Sequence, residues 1–457
     1  MQRFRETLSI ALIGLLPLHA LLVTVGTKVI AGPGHSPLTY LALWKEGVLA
    51  LILLIAVIEI VRKKSLVIGN WSLDVLDRLA IGLIALSVVV TAMTHGDWKL
   101  YLIGFKYDFI PLVAFVILRC VSWSEDFLPR VFKVLLMVAG GVAVYGIASL
   151  FLPQSWFIWL GYSDLHSLYN PDGPLAAFQQ IGGSSIRRIQ STMSGPNQLG
   201  LWLLIPFSVA LMRVKGVGRW ALGVGAIVLL AMLLTFSRSA VLAAGVITVI
   251  FLWKLLPRKK FLQYLGGLLC MSFVCLFAIH TFAPSIVSRS VSTKGHIEKP
   301  IEAIKTIIAN PIGLGLGTAG PASNRVSDTC VHLEVGSDAS WASDRPDLCV
   351  FVGSDQVQPI DRECSCPVLP ENWYLQIGVE LGILGMFLYV LLIVMILQKL
   401  YGLKMENGKW KTKSSIFNLQ SSIHLMFLGI CIAALFLHAW EDAAAAYTLW
   451  ILIAAVL

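Results

Sequence analysis

Pro370-Glu371-Asn372-Trp373-Tyr374-Leu375-Gln376 runs without a break into an apolar stretch that ends near Leu397. A helix of that length can cross a hydrocarbon core of ~30 Å. Between Ala283 and Pro370 the chain is polar, and before that it is again mostly apolar. A polar insert therefore sits over a bundle that belongs in lipid, with Glu371 at the seam. That arrangement suits a substrate with one greasy end and one wet end.

The composition agrees. Hydrophobic residues make up 57% of the 457 and charged residues 13%, which excludes an ordinary soluble domain. Backbone groups in lipid must pair internally, so the apolar runs read as helices; the short alternating segments of a barrel do not occur in the sequence. The expected fold is an all-α integral membrane protein with about twelve transmembrane helices. They fall near 8–30, 41–61, 78–94, 100–118, 131–152, 197–213, 218–235, 239–254, 262–283, 372–397, 418–439 and 442–457. Three parts follow: 1–283 with membrane helices 1–9 and an outward loop at 153–196, an extracytoplasmic loop domain at 284–370, and 371–457 with helices 10–12. The first span lacks a clear small-residue cleavage site and is read as a span rather than a signal peptide.

Lys and Arg cluster at Arg3/Arg5, Arg62 to Lys64, Arg119 to Lys133, Arg213 to Arg219, Arg258 to Lys260 and Lys399 to Lys413, all on one side of that count. By the positive-inside rule that side is the cytoplasm, both termini lie there, and the polar insert is extracytoplasmic. The net charge of +9 comes mainly from these anchors. Spread among short loops, they do not make a nucleic-acid face. Cys120, Cys270, Cys275 and Cys431 lie in or beside apolar runs and read as small core residues. Cys330, Cys349, Cys364 and Cys366 share the insert. In an oxidising compartment they imply one or two disulfides, with Cys364 and Cys366 pairing to Cys330 and Cys349 in either order. No CxxC or paired-His spacing supports a metal site.

Two outward segments carry candidate chemistry. The first holds Trp156, Phe157, Trp159 and Tyr162, then Tyr169 to Gly173, then Ile186-Arg187-Arg188-Ile189. Its aromatics fit an interfacial belt. Arg187 and Arg188 precede Gly195-Pro196-Asn197, which opens a helix with Asn197 near the N-cap. Arg238, in Thr235-Phe236-Ser237-Arg238, sits at the outward tip between two spans. A guanidinium there either snorkels to the headgroups or meets phosphate oxygens in a fork. Arg289 and Lys294 are further candidates for the same anion.

The second segment is the insert. Ile297, Ile301, Ile304 and Ile308 recur at helical spacing, so His296 to Ala309 reads as a helix stopped by Asn310-Pro311. Gly313-Leu-Gly-Leu-Gly317 lacks dinucleotide spacing and reads as backbone that approaches something closely. Pro321 to Pro370 reads as irregular and pinned by disulfides. Glu371 is the candidate base: a partly desolvated carboxylate has a raised pKa and can take a proton from a sugar hydroxyl. The alternative role is a helix-capping carboxylate. Asn372, Tyr374 and Gln376 would orient a sugar. Glu380, deeper, is expected to pair with an arginine or amide of the bundle. His296 and His332 are alternatives for proton transfer.

Arg187/Arg188, Gly195-Pro196-Asn197-Gln198-Leu199-Gly200, Thr235-Phe236-Ser237-Arg238, Asn310-Pro311-Ile312-Gly313-Leu314-Gly315 and Glu371-Asn372-Trp373-Tyr374-Leu375-Gln376 through Glu380-Leu381-Gly382-Ile383-Leu384-Gly385 occur in that order. Together they resemble the O-antigen ligase / O-antigen polymerase superfamily of bacterial membrane glycosyltransferases. The resemblance implies a multi-pass protein of the bacterial cytoplasmic (inner) membrane. It would transfer glycan from an undecaprenyl-diphosphate carrier to a sugar or glycolipid acceptor, using membrane lipids but no cofactor and no metal. It places phosphate recognition on Arg238 and on Arg187 or Arg188, and acceptor activation on the residue before Asn372. The ligases typically have His there, where this chain has Glu371; that leans the reading toward a polysaccharide polymerase, with His296 as a source of imidazole. The rival class is a polytopic transporter or lipid-linked glycan flippase, which predicts related halves with interrupted helices meeting at mid-depth.

Overall fold

The computed structural model describes all residues except 63–73, 95–96, 164–172, 182–185, 214–218, 283–289, 325–326, 334–335, 354 and 403–414. Helices dominate. Among the described residues, those long and apolar enough to cross a membrane number five: Gln2–Ala31, Val75–Met93, Phe127–Ala148, Arg238–Leu255 and Trp373–Gly402. A bent pair, Trp98–Asp108 with Ile110–Arg119, makes a sixth. The expected twelve spans are not shown by the described residues, in which the helix Arg258–Phe282 is only partly described. Pro196–Met212, Trp220–Leu234 and Ala443–Ala454 are shorter apolar helices, and Gln420–Ala433 is the part of the 19-residue helix Ser415–Ala433 whose side chains are described. At ~1.5 Å per residue Ala443–Ala454 alone does not reach across a full hydrocarbon core. The helix Trp44–Arg62 carries Lys45, Glu46 and Glu59 within its length.

One end of the bundle gathers charge into pairs. Arg5 Nε meets Glu59 at 3.1 Å, and its Nη2 donates to Ser122 O at 2.7 Å. Arg130 reaches Glu6 at 2.7 Å. Arg119 and Lys399 converge on Asp74, which caps the helix Val75–Met93. Cys120 and Cys270 are exposed and not core residues as expected, because both lie on outward faces of the bundle; Cys431 is buried. The side chain of Cys275 lies outside the described residues.

Three interruptions shape the other end. Leu16-Pro17-Leu18 breaks the first helix into a 3-10 turn, because proline cannot donate into the helical ladder. Thr192 Oγ1 donates to the freed Pro17 carbonyl at 2.7 Å. The second break is the 53° bend between Asp108 and Ile110, just before Pro111. The third lies at Gly382, which has φ 69° inside the long helix Trp373–Gly402.

Into that third break the glycine-rich segment inserts. Leu314 N donates to Val379 O at 2.9 Å, Gly315 N to Glu380 O at 3.0 Å, and Ile383 N to Pro311 O at 3.0 Å. A Cβ on Gly382 would lie 2.2 Å from Pro311 O, and one on Gly313 would lie 2.4 Å from Glu380 O. Both residues also have positive φ, so glycine is required here twice over. Gly317 likewise lies against Leu100 O, at 2.5 Å from its would-be Cβ. The segment thus enters the bundle between the long helix and the start of the Trp98–Asp108 helix.

The insert contains more order than expected. The predicted loop helix is present over Ser290–Ala309. Ala303 and Ile307 are buried in a cluster with Val379 of the long helix, whereas Ile297, Ile301, Ile304 and Ile308 face away and are exposed. Pro321 to Pro370, read as irregular, contains a three-stranded sheet, so the fold is not purely helical. Strands β1 (Thr329–Leu333), β2 (Leu348–Val352) and β3 (Asp355–Gln358) lie in the order β1-β2-β3, the first pair parallel and the second antiparallel. Leu348 and Val350 alternate inward to form its small core. Disulfides join Cys330 to Cys366 and Cys349 to Cys364, one of the two pairings left open by the sequence. A core this small depends on such cross-links.

Two outcomes follow. Gly382→Ala is expected to cost roughly 3 kcal/mol or more, since it adds left-handed strain to a backbone clash. The exposed helical Gly47→Ala meets nothing within 4 Å and is expected to be neutral or to gain up to ~1 kcal/mol. Thermal unfolding of both in the same detergent checks this. Non-reducing peptide mapping is expected to yield Cys330–Cys366 and Cys349–Cys364 linked peptides, and the exchanged pairing would contradict the sheet register.

Candidate functional site

Two polar groupings occupy the end of the bundle opposite the paired charges. Lys254 Nζ lies 4.6 Å from the Tyr401 ring centroid, at the far ends of the helices Arg238–Leu255 and Trp373–Gly402. Those helices therefore start toward the same end of the bundle, Arg238 opening one and Glu371 just preceding the other.

The first grouping is built on Arg188. Gln179–Gln180 and Arg187–Arg188 pair as a short antiparallel ribbon. Neighbours on a strand point to opposite faces, so the two arginines separate. Arg188 Nε donates to Thr235 O at 2.9 Å and its Nη2 to Asn197 Oδ1 at 2.8 Å. Arg187 lies over the Phe178 ring at 4.5 Å and does not join it. Gly195, rather than Asn197, is the N-cap of Pro196–Met212. This frees the Asn197 side chain to accept from Arg188. Phe236 has φ 50°, and the turn it makes sets Arg238 as the first residue of its helix, exposed. Arg188, Asn197, Thr235 and Arg238 thus stand around two helix N-termini, a setting that attracts anions. Arg289 lies outside the described residues, as do the side chain of Lys294 and Tyr169-Asn170-Pro171-Asp172.

The second grouping is built on Glu371. His296 Nδ1 lies 2.6 Å from Glu371 Oε2, and Lys299 Nζ lies 2.6 Å from Glu371 Oε1. His296 and Lys299 are one turn apart on the loop helix, on the side that carries Ala303 and Ile307 to the long helix. Glu371 itself has φ 52°, a conformation costly for a non-glycine residue and held here by its partners. The expectation of a raised carboxyl pKa is overturned. Burial pushes Glu371 up, but the contacts from His296 and Lys299 outweigh it and hold the group at about 2. Such a carboxylate is a poor base and a firm anchor for a cation. It is not the helix cap either: Asn372 Oδ1 accepts from Leu375 N at 3.0 Å and takes that role.

Asn372, Tyr374 and Gln376 spend hydrogen bonds on the protein itself. They fasten the long helix to the last turn of the helix Ser415–Ala433 and to the segment after it. Asn372 Nδ2 donates to Leu435 O at 3.0 Å, and Tyr374 OH to Cys431 O at 3.0 Å. Gln376, fully buried, bonds Glu441 through Nε2 and meets His438 Nδ1 at 2.5 Å. Burial pulls His438 down to about 4, and burial with Asp108 nearby pushes Glu441 well up. Among the described residues Glu380 meets backbone amides and no arginine: its Oε1 accepts from Gly317 N at 2.9 Å and Ala319 N at 3.3 Å. His332 is on the sheet surface, stacked on Phe351 at 4.8 Å.

Sequence reasoning missed Lys299, His438, Glu441 and Asp108. A signal existed for Lys299, three residues from His296 on a predicted helix. Another existed in His438-Ala-Trp-Glu441-Asp442, a polar break in an apolar run. The only metal-like cluster among the described residues, Asp328 with Cys349 and Cys364, uses disulfide sulfurs and is no metal site.

No protein-family model matches this chain, and comparison with curated proteins finds no match. The Glu371 contacts carry a pH dependence. The usual carboxyl value is 4.5 and the folded one about 2, so the stabilisation is present above pH 4.5 and is lost as pH falls toward 2. Wild type is expected to melt above Glu371→Gln at about pH 7, with the gap closing toward about pH 3. A gap that stays constant with pH contradicts the ion pairs.

Proposed function

We propose that this protein is a membrane glycosyltransferase that moves glycan from a polyprenyl-diphosphate carrier to a sugar hydroxyl, as a polysaccharide polymerase or ligase. The observation that carries the reading is the His296–Glu371 contact at one end of an apolar bundle. A carboxylate on Nδ1 fixes an imidazole in the tautomer whose Nε2 is a base and stabilises the imidazolium that forms. His296 takes the role of base, and Glu371 becomes its orienting partner.

In this mechanism the acceptor hydroxyl loses its proton to His296 as its oxygen attacks the anomeric carbon. The bond from that carbon to the diphosphate oxygen breaks, and the electron pair leaves with the diphosphate. Attack opposite the leaving group inverts the anomeric centre. Arg238 and Arg188, beside two helix N-termini, stabilise the charge that builds on the leaving group, the electrostatic term that usually dominates such steps. The apolar helices hold the polyprenyl tail, and the exposed isoleucines of the loop helix lie in the headgroup layer. The site faces outward across the cytoplasmic membrane, in line with the side of the bundle opposite the paired arginines.

A transporter or lipid-linked glycan flippase is the second reading. It is favoured by one observation: the bend after Asp108, the break at Gly382 and the turn at Glu441 meet in one place, as interrupted helices do around transported ions.

Purified protein with lipid-linked glycan separates the two. His296→Ala is expected to lower the transfer rate by ~10²–10⁴-fold. Glu371→Gln is expected to lower it by roughly tenfold or more through loss of imidazole orientation. Arg238→Ala is expected to slow transfer. Full transfer by folded His296→Ala removes the assigned base. Absence of transfer by wild type, with translocation of the lipid-linked unit across vesicles, supports the flippase.

A further inference from the structure

Asp108 is the last residue before the 53° bend, Glu380 lies two residues before Gly382, and Glu441 ends the 3-10 turn Ala439–Glu441. Their relative exposures are 5%, 0% and 8%. Gly317, whose amide donates to Glu380 Oε1, packs on Gly104 one turn before Asp108, which brings the two carboxyls to one place, and Glu441 interacts with both electrostatically. Both oxygens of Asp108, Glu380 Oε2 and Glu441 Oε2 meet no donor from the rest of the described chain. Lys45 and Lys106 line a shallow recess with Glu441, but both pair with Glu46.

Three neighbouring anions in such a place cannot all stay charged. Each buried ion costs several kcal/mol of lost hydration, and the low dielectric amplifies their repulsion. The sequence offers two remedies, a bound metal cation or bound protons. The oxygens of the three do not gather within 4.8 Å of one another as the ligands of one metal ion would. The two backbone amides on Glu380 Oε1 favour a negative charge on that residue. The partnerless Asp108 side chain, turned to Glu380, then requires a hydrogen to donate.

We propose that Asp108 and Glu380 form a proton-binding site, in which Asp108 carries one proton and donates it to the Glu380 carboxylate. The carboxylate so held latches the amides of Gly317 and Ala319, and with them the glycine-rich segment that leads back to His296. The other groups facing the pair are Tyr389 on the long helix, which acts on Asp108, and Glu441 with Gln376 and His438 behind it. Lys106 lies on the Asp108 helix itself.

The test is labelling of the full chain in lipid vesicles with dicyclohexylcarbodiimide, which reacts with protonated carboxyls in apolar surroundings, followed by peptide mass mapping. The expected result is at most one adduct per chain on the pair, declining as pH rises, unaffected by sodium, and absent in Asp108→Asn. No adduct, two adducts on the pair, or protection by sodium overturns the proposal. Hydrogen exchange at 314–320 is a second readout on the folded variants. Asp108→Asn, whose amide still donates, is expected to keep the protection. Glu380→Gln is expected to lose at least about tenfold. Equal exchange in both variants overturns the latch. If Asp108→Asn does not fold, the adduct count and pH dependence in wild type decide alone.

Discussion

The structure depends on how the break at Gly382 is filled. A helix opened inside a bundle leaves carbonyls and amides without partners, and each costs a large fraction of the protein's net stability if it stays unmade. Here the segment from Pro311 to Ala319 supplies the partners: two amides to Val379 and Glu380 carbonyls, and two more to the Glu380 carboxylate. The exchange works only because glycine stands at 313, 315, 317 and 382, where backbones touch or φ is positive. The long helix and the insert are thereby one structure and not a bundle with a loop laid on top.

From that splice the position of the site follows. The loop helix ends where the splice begins, so its Ala303 and Ile307 are pressed against Val379. One face further along, His296 and Lys299 arrive at Glu371. The same long helix is tied on its other side to the turn at 434–441: Trp373 N bonds Ala434 O at 2.9 Å, and Asn372, Tyr374 and Gln376 add side-chain bonds. Glu371 thus sits in a strained backbone conformation because both flanks are fixed. A strained, ion-paired residue at the junction of three elements fits a group that positions chemistry. It fits less well a group that must release its partners to act as a base.

Much of this was legible in the sequence, and the failures have physical causes. The loop helix, its stop at Asn310-Pro311 and the helix ends near 196, 238 and 373 were readable from periodicity and from proline and glycine placement. The interruptions within the spans were not: hydropathy registers an apolar run but cannot see that Pro17, Asp108-Phe109 or Gly382 breaks the helix inside it. The glycine run was recognised as a place of close approach, but its target, 63 residues away at Glu380, is a tertiary fact. Arg187 and Arg188 were weighed together because they are adjacent; the strand geometry that turns them apart shows only once the ribbon forms. The sign of the Glu371 shift was missed because Lys299 was not weighed, and a cation in contact outweighs partial burial.

The most direct test of this architecture is a zero-length cross-link with a water-soluble carbodiimide on the protein in lipid bilayers, read by mass spectrometry. An amide bond between Lys299 and Glu371 is the result the structure requires, and it should vanish in Gly382→Ala if the splice positions the loop helix. Recovery of Lys299 cross-linked only to other carboxyls, or an unchanged yield in that variant, would contradict the account.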